Sequence, residues 1–251
     1  MLGLRNLYRV FHESRTAARK HAALAVTGEL PEAERLADLL DAGRDAGGAG
    51  VVLTVAAGRV SLSGKAVEDP GEAPIPAVLS EEAVIRELVP WVVGSLDEDY
   101  LVALGRGYPI FRRAVCEEII HKNARQNGVI GVLPIPGADM PAIAANQGRM
   151  VLGIAAAYGE EISLERAREL LGVLAAGFGF RALSRQVLKL VPVGGWAASG
   201  AIAYAGTLAM GRAAILYFER GKKELESGEL SEIKRRARKE AEALIARMRQ
   251  R

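Results

Sequence analysis

The chain has one cysteine, Cys116, in 251 residues, which rules out an intrachain disulfide framework. At this length a core can be buried without staples or a structural metal. Its three histidines, His12, His21 and His121, are too far apart to show metal-ligand spacing, so no zinc or other metal site is expected. Aromatic residues make up only 5% and seldom interleave with basic ones, which argues against stacking of single-stranded nucleic acid. No nucleophile signature is present either. His121 follows Cys116 by five residues, off the i+4 face of the helix expected there, so no catalytic residue and no cofactor is assigned. The first 20 residues are broken by Arg5 and Arg9 where a signal peptide would be apolar, which places the expected location in the cytoplasm.

Charge is present but unevenly spread. The formal net charge is +3, yet residues 1–20 carry five Lys/Arg against one Glu, and residues 212–251 carry twelve against seven acidic residues. Basic ends of this kind suit an anionic membrane surface, nucleic acid or simply a solvated helix face. Near the start, Leu4, Leu7, Tyr8 and Phe11 share one side of an amphipathic helix assigned to residues 1–21. At the other end, Ile233, Ala237, Ala241, Leu244 and Met248 form one apolar stripe on a basic helix from Ser231, within a C-terminal segment 221–251.

Between these ends the pattern changes once. Residues 22–79 read as a small α/β domain: a strand over Ala22–Val26, a turn at Gly28, a helix over Pro31–Asp41, a strand over Val51–Val55 and an exposed strand around Val60 and Leu62. Asp69–Pro76, with three prolines, reads as a loop, and the domain boundary falls near residue 79. Residues 80–220 read as helical. Ser80 before Glu81 and Glu82 starts one helix, and Pro90 is expected to kink or end it. A helix over Ile110–Gln126 follows Pro109, and Gly128–Pro141 reads as an apolar connection. Asp139 stands at the N-cap of a helix closed by Gly159. Another opens at Ser163 and carries Leu170, Leu171, Leu174 and Phe178, before Pro192 interrupts the chain. The expected class is α+β, with a predominantly α-helical bundle containing a Gly/Ala-rich helical hairpin.

Several motifs in the helical part carry a resemblance. They are Tyr108-Pro109-Ile110-Phe111-Arg112, Leu133-Pro134-Ile135-Pro136-Gly137-Ala138-Asp139-Met140, Asn146-Gln147, Ala156-Ala157-Tyr158-Gly159, Val191-Pro192-Val193-Gly194-Gly195 and Tyr217-Phe218. Over residues 105–220 the chain resembles the YcjF-like family, whose uncharacterised helical domain often follows an Era-like or dynamin-like GTPase domain. The resemblance implies association with GTPases and membranes and names no reaction. It prompts a test of the N-terminal strand–turn–helix as a P-loop, which needs a Gly-rich run ending in Lys and Ser or Thr. The turn reads Val26-Thr27-Gly28-Glu29-Leu30-Pro31: there is no Lys, Glu29 would repel phosphate, and Pro31 removes an amide donor. If the domain descends from a GTPase, it is degenerate.

Two sets of residues remain as candidates. Asp139, Asn146, Gln147, Asn123 and Asn127 are polar residues in otherwise apolar helices and could face one ligand or partner. Asp139, Asn146 and Met150, spaced seven and four apart, share a helix face. The alternative is that Asp139 caps its helix while the amides satisfy backbone carbonyls. Arg112 and Arg113, after Pro109, are weaker candidates for an anion at a helix N-terminus. The second set is Gly195, Gly200, Gly206 and Gly211, assigned to close helix packing within Leu190–Gly211. That stretch is 22 residues long without a charge and contains five glycines, six alanines and one proline. It is long enough to span a bilayer, but Leu190, Val191, Val193, Ile202 and Leu208 supply only roughly 2 to 3 kcal/mol of insertion energy, which the glycines and Pro192 offset. The sequence therefore favours a non-catalytic helical interaction protein at the inner face of the cytoplasmic membrane, with a protein partner or self-association, an anionic membrane surface and a GTPase as candidate partners. Nucleic acid is disfavoured. The alternatives are a nucleotide-binding or GTPase-related enzyme with an atypical site, and an integral membrane protein using residues 190–211.

Overall fold

The computed structural model describes residues 21–28, 31–132, 139–161, 195–223 and 225–249. The protein is α+β: a small sheet near the N-terminus precedes a mostly helical remainder. The expected helix over residues 1–21, the helix from Ser163 and the break at Pro192 lie outside the described residues. The chain divides into two compact units. One contains the described residues up to Glu118 together with Ala157–Gly159; the other contains Ile119–Ala156 and the described residues from Glu160 onward.

In the first unit the sheet runs β1 (Leu24–Thr27), β2 (Val51–Ala56), β3 (Arg59–Ser63) and β4 (Gly71–Pro74), in that spatial order. β1 and β2 are parallel, joined through α1 (Pro31–Leu40), and the other pairs are antiparallel. Alternation decides the faces: Val51, Leu53 and Val55 are buried, while Val52 and Thr54 between them are half-buried. Helix α1 packs on β1 and β2 and buries Ala33, Leu36, Ala37 and Leu40. Gly28, at φ +134°, lets the chain leave β1, and a Cβ there would lie 2.5 Å from the Val55 carbonyl oxygen. The outer side of β1 is closed by Gly43, whose N–H donates to Leu24 O at 3.0 Å while its carbonyl accepts from Val26 N–H at 2.8 Å.

Strand β4 corrects the reading of Asp69–Pro76 as a loop. The Ile75 N–H donates to Gly58 O at 3.0 Å, which fixes the parity: Gly71 and Ala73 turn their backbone toward β3, and Glu72 and Pro74 turn theirs outward. Pro74 thus stands where no ladder partner needs an N–H, and Pro70 and Pro76 share its parity on either side. The prolines that made the segment look irregular close the sheet edge instead.

Next come α2 (Glu81–Ala83), a π-helical turn (Val84–Leu88) and α3 (Val89–Gly94). Ser80 caps the start, its Oγ accepting from Ala83 N–H at 3.3 Å. Of the two outcomes expected at Pro90, a kink or an end, the end is not seen, since helix continues through it. A wide turn in which Val89 N–H donates to Val84 O precedes it and opens the ladder where the proline ring would meet the carbonyl of residue 86. Helix α4 (Glu98–Gly107), capped by Asp97 accepting from Asp99 N–H at 2.9 Å, is absent from the sequence reading, although Asp97 followed by Glu98 and Asp99 is a good start signal. It positions Tyr100, whose hydroxyl accepts from Ala23 N–H at 2.7 Å and donates to Ala23 O at 2.8 Å. Tyr108 Oη accepts from Leu24 N–H at 2.9 Å, so two tyrosines hold the start of β1.

The second unit contains the later part of α5 (Pro109–Val132), then α6 (Asp139–Ala157), α7 (Gly195–Glu219) and α8 (Ser227–Arg249). Helix α5 runs through Gly128 and Gly131 to Val132, correcting the reading of Gly128 onward as a connection. Helix α8 starts at Ser227, earlier than Ser231. Helix α7 is enclosed on most sides, burying Ala205, Leu208, Ala209, Ala213, Ala214 and Ile215 among others.

Candidate functional site

Three of the five candidate polar residues meet inside the helical unit. Asn127 of α5 is fully buried, and its Nδ2 donates to Thr207 Oγ1 of α7 at 2.9 Å. From α6, Asn146 Nδ2 donates to Asn127 Oδ1 at 3.1 Å and Gln147 Nε2 donates to Thr207 Oγ1 at 3.3 Å. Thr207 in turn donates to the Ala203 carbonyl at 2.7 Å. Its hydroxyl therefore accepts two bonds and donates one, which uses its full capacity. All four members are uncharged, so the cluster joins three helices without the desolvation cost of a buried ion.

The other two candidates are placed differently. Asn123 is buried, but its Nδ2 donates back to Ile119 O of its own helix at 2.8 Å. Asp139 is the first residue of α6, and its side chain lies outside the described residues. Thr207 is the member that sequence reasoning missed. Its signal was there: it is the sole hydroxyl residue between Tyr204 and Tyr217 of an apolar helix, and such a group needs a buried partner.

The glycines bracket the cluster along α7. A Cβ on Gly200 would lie 2.5 Å from Val132 Cγ2 and 2.7 Å from Gly128 O. One on Gly131 would lie 3.0 Å from Ser199 O, and one on Gly211 would collide with the Ile120 side chain. Gly206 is half-buried, and Gly195 opens the helix. One turn beyond the cluster, Arg212 forms a two-pronged pair with Glu240 of α8, Nη1 to Oε1 at 2.6 Å and Nη2 to Oε2 at 3.2 Å.

The remaining titratable candidates are engaged in packing. Arg112 Nε donates to Gly105 O at 3.1 Å, and its guanidinium stacks 5.5 Å from the Tyr158 ring centre. Cys116 is buried. Among the described residues no group of three or more His, Cys, Asp or Glu side chains could hold a metal ion. The basic helix α8 neutralises much of its own charge: Glu232 pairs with Arg235 and Arg236, and Glu242 pairs with Arg238, at 2.7 to 2.8 Å. Hydrogen bonds from Arg235 and then Arg236 hold the Glu232 carboxyl down at about 2.

Residues 110–243 match the family described as Domain of unknown function (DUF697), and the chain belongs to that family. It is similar to Magnetosome membrane protein 22 of Magnetospirillum gryphiswaldense, with 28% identity over 156 residues, covering 53% of this chain and 80% of that protein. No solved structure matches the chain.

Proposed function

We propose that this chain is a non-catalytic helical interaction protein that works attached to a membrane, with its α5–α8 unit as the functional body. The observation that carries the reading is the double character of α7. Ser199–Glu219 has a mean hydropathy of 1.3, enough by length and composition to cross a bilayer, yet 67% of its most apolar window is buried inside the protein. A helix apolar on all sides suits either the core of a protein unit or a bilayer, and this one has the burial of the first and the length of the second. The similarity to a protein named for a membrane supports this setting. The amide cluster, bonded internally, supports a role in holding helices in register over one in chemistry.

The finer parts of the reading are a YcjF-like helical domain, a location at the inner face of the cytoplasmic membrane, and a GTPase or a second copy of the chain as partner. Fractionation of cells producing the full chain tests the main claim: it is expected in the membrane pellet and released by alkaline or chaotropic washing. Recovery in the soluble fraction, with no co-flotation with vesicles, would overturn it. Release by detergent alone would favour the second reading, an integral protein using α7, which the hydropathy of that helix supports. Thermal shift with GTP, GDP and ATP plus magnesium addresses the nucleotide-binding alternative, in which stabilisation is required.

A further inference from the structure

The structure assigns Asn127-Gly128 as a latent site of covalent modification, an asparagine deamidation that the folded helix prevents and that opening of the α5–α7 junction releases. The reaction leaves a one-way mark on any chain that has opened. Asn127-Gly128 is the only Asn-Gly pair in the chain. Such a pair closes to a succinimide more readily than other Asn dipeptides, because glycine has no Cβ to crowd the ring and its backbone turns freely. In the step, the deprotonated Gly128 nitrogen attacks Asn127 Cγ, the new N–C bond forms, the Cγ–Nδ2 bond breaks and ammonia leaves. Water then opens the ring at one carbonyl or the other, giving aspartate or isoaspartate at position 127.

The fold withholds each requirement of this reaction. Both residues lie inside α5, where helical geometry commits the Gly128 N–H to the carbonyl four positions back, so the proton that must leave is held in a hydrogen bond. Helical side chains lean toward the N-terminus, which directs the Asn127 amide away from the nitrogen that follows it. Two bonds then fix that amide: Nδ2 donates to Thr207 Oγ1 at 2.9 Å, and Oδ1 accepts from Asn146 Nδ2 at 3.1 Å. Asn127 is also fully buried, which keeps away the water that ring opening needs.

The products explain why the mark is one-way. Asn127 works as a donor to Thr207 and as an acceptor from Asn146, and an ionised carboxyl in its place has no donor. That charge would be buried against the Thr207 oxygen, whose own hydrogen is already given to Ala203 O at 2.7 Å. Isoaspartate instead adds a carbon to the main chain and breaks the ladder of α5 in its interior. Either product opposes the return of α5, α6 and α7 to one another. Packing does not compel glycine at 128, since a Cβ there would meet nothing nearer than 3.6 Å. Alanine at that position keeps the contact, favours the helix and slows ring closure, so the chemistry can be removed without disturbing the junction.

The test incubates the full chain at mildly alkaline pH, folded and in unfolding urea, and follows each asparagine by peptide mass spectrometry, with Asn123-Ala124 and Asn146-Gln147 as internal references. In urea Asn127 should deamidate at least about tenfold faster than either reference, and Gly128→Ala should remove that excess. In the folded chain the rate at Asn127 should fall by at least about a hundredfold, because the open form is then rare. Thr207→Val should raise the folded rate about tenfold or more, and sub-denaturing urea should raise it without any substitution. On dilution from urea, the deamidated fraction should not regain the thermal transition of the untreated chain. Equal rates at Asn127 and Asn146 in urea would overturn the site, and equal rates at Asn127 in folded and unfolded chain would overturn the protection. A deamidated fraction that refolds to the untreated Tm would overturn the one-way mark.

Discussion

Replacing Gly200 by alanine asks whether α5 and α7 touch as closely as their backbones indicate. The new Cβ would lie 2.5 Å from Val132 Cγ2 and 2.7 Å from Gly128 O, against the roughly 3.5 Å at which non-bonded atoms normally rest. The Val132 methyl can rotate aside, but the Gly128 oxygen is backbone and can retreat only by moving α5. Overpacking of this kind costs about 1 to 3 kcal/mol, and the better helix propensity of alanine returns about 1 kcal/mol. Gly200→Ala should therefore destabilise the chain by up to roughly 2 kcal/mol, or up to roughly 8 °C in Tm for a chain of this size.

The sign becomes decisive in a series. A Cβ on Gly128 meets nothing nearer than 3.6 Å, an ordinary contact, and one on Gly228 meets nothing within 4 Å. Both substitutions to alanine should be neutral or stabilising by up to about 1 kcal/mol. Gly131→Ala, at 3.0 Å from Ser199 O, should fall between these and Gly200→Ala. Propensity alone predicts one sign for every member of the series. Urea and thermal melts followed by far-UV circular dichroism separate the two accounts, and a Gly200→Ala protein as stable as Gly128→Ala would refute the close approach.

Four further outcomes follow from single contacts. Thr207→Val keeps the shape of the side chain but strands the Asn127 and Gln147 amides, so it should cost roughly 2 to 4 kcal/mol in urea titrations while Thr207→Ser costs much less. Ala57 sits at φ +48° in the β2–β3 turn, a conformation asparagine tolerates better, and Ala57→Asn should raise stability by roughly 0.5 to 1 kcal/mol; a loss would count against that turn geometry. Tyr100→Phe removes both hydroxyl bonds to Ala23 and should destabilise the first unit by roughly 1 to 2 kcal/mol, seen as faster amide exchange at the start of β1. For Glu232 the folded value of about 2 lies below the ordinary 4.5. Its contribution is complete above the ordinary value and is lost as pH falls through the folded one, and an NMR titration of its carboxyl with a midpoint near the ordinary value would remove the Arg235 and Arg236 pairing.

Local signals in the sequence were strongest where one residue has one task. Ser80 before two glutamates, alternating Val51–Val55, and Gly159 after an apolar helix each marked an element that is present. The misses share a cause: a residue's local preference was read without the partner that reverses it. Pro74 looked like a strand breaker until the register turned its nitrogen away from β3. The stretch from Gly128 was read as part of a connection, yet Gly128 and Gly131 lie in α5 where α7 passes close by. The candidate cluster was legible in its amides but not in its centre. Thr207 is unremarkable in sequence, and only the crossing of three helices brings Asn127, Asn146 and Gln147 to it.

The same reasoning explains why a helix with the composition of a membrane span is placed inside protein. Over Ser199–Glu219 the strongly inserting residues are Ile202, Leu208, Ile215, Leu216 and Phe218, worth roughly 1.5 to 3 kcal/mol together. A centrally placed arginine costs about 2.5 to 3.5 kcal/mol, and Arg212 stands inside that window, so insertion alone comes out near zero. Leaving the bundle would also give up the two-pronged Arg212–Glu240 pair and the three hydrogen bonds of Thr207. Against protein, the small residues that make α7 a weak span allow the approach of α5 at Gly200 and Gly211. Glycine thus lowers the energy gained from lipid and raises that gained from neighbours, and the balance keeps α7 within the unit.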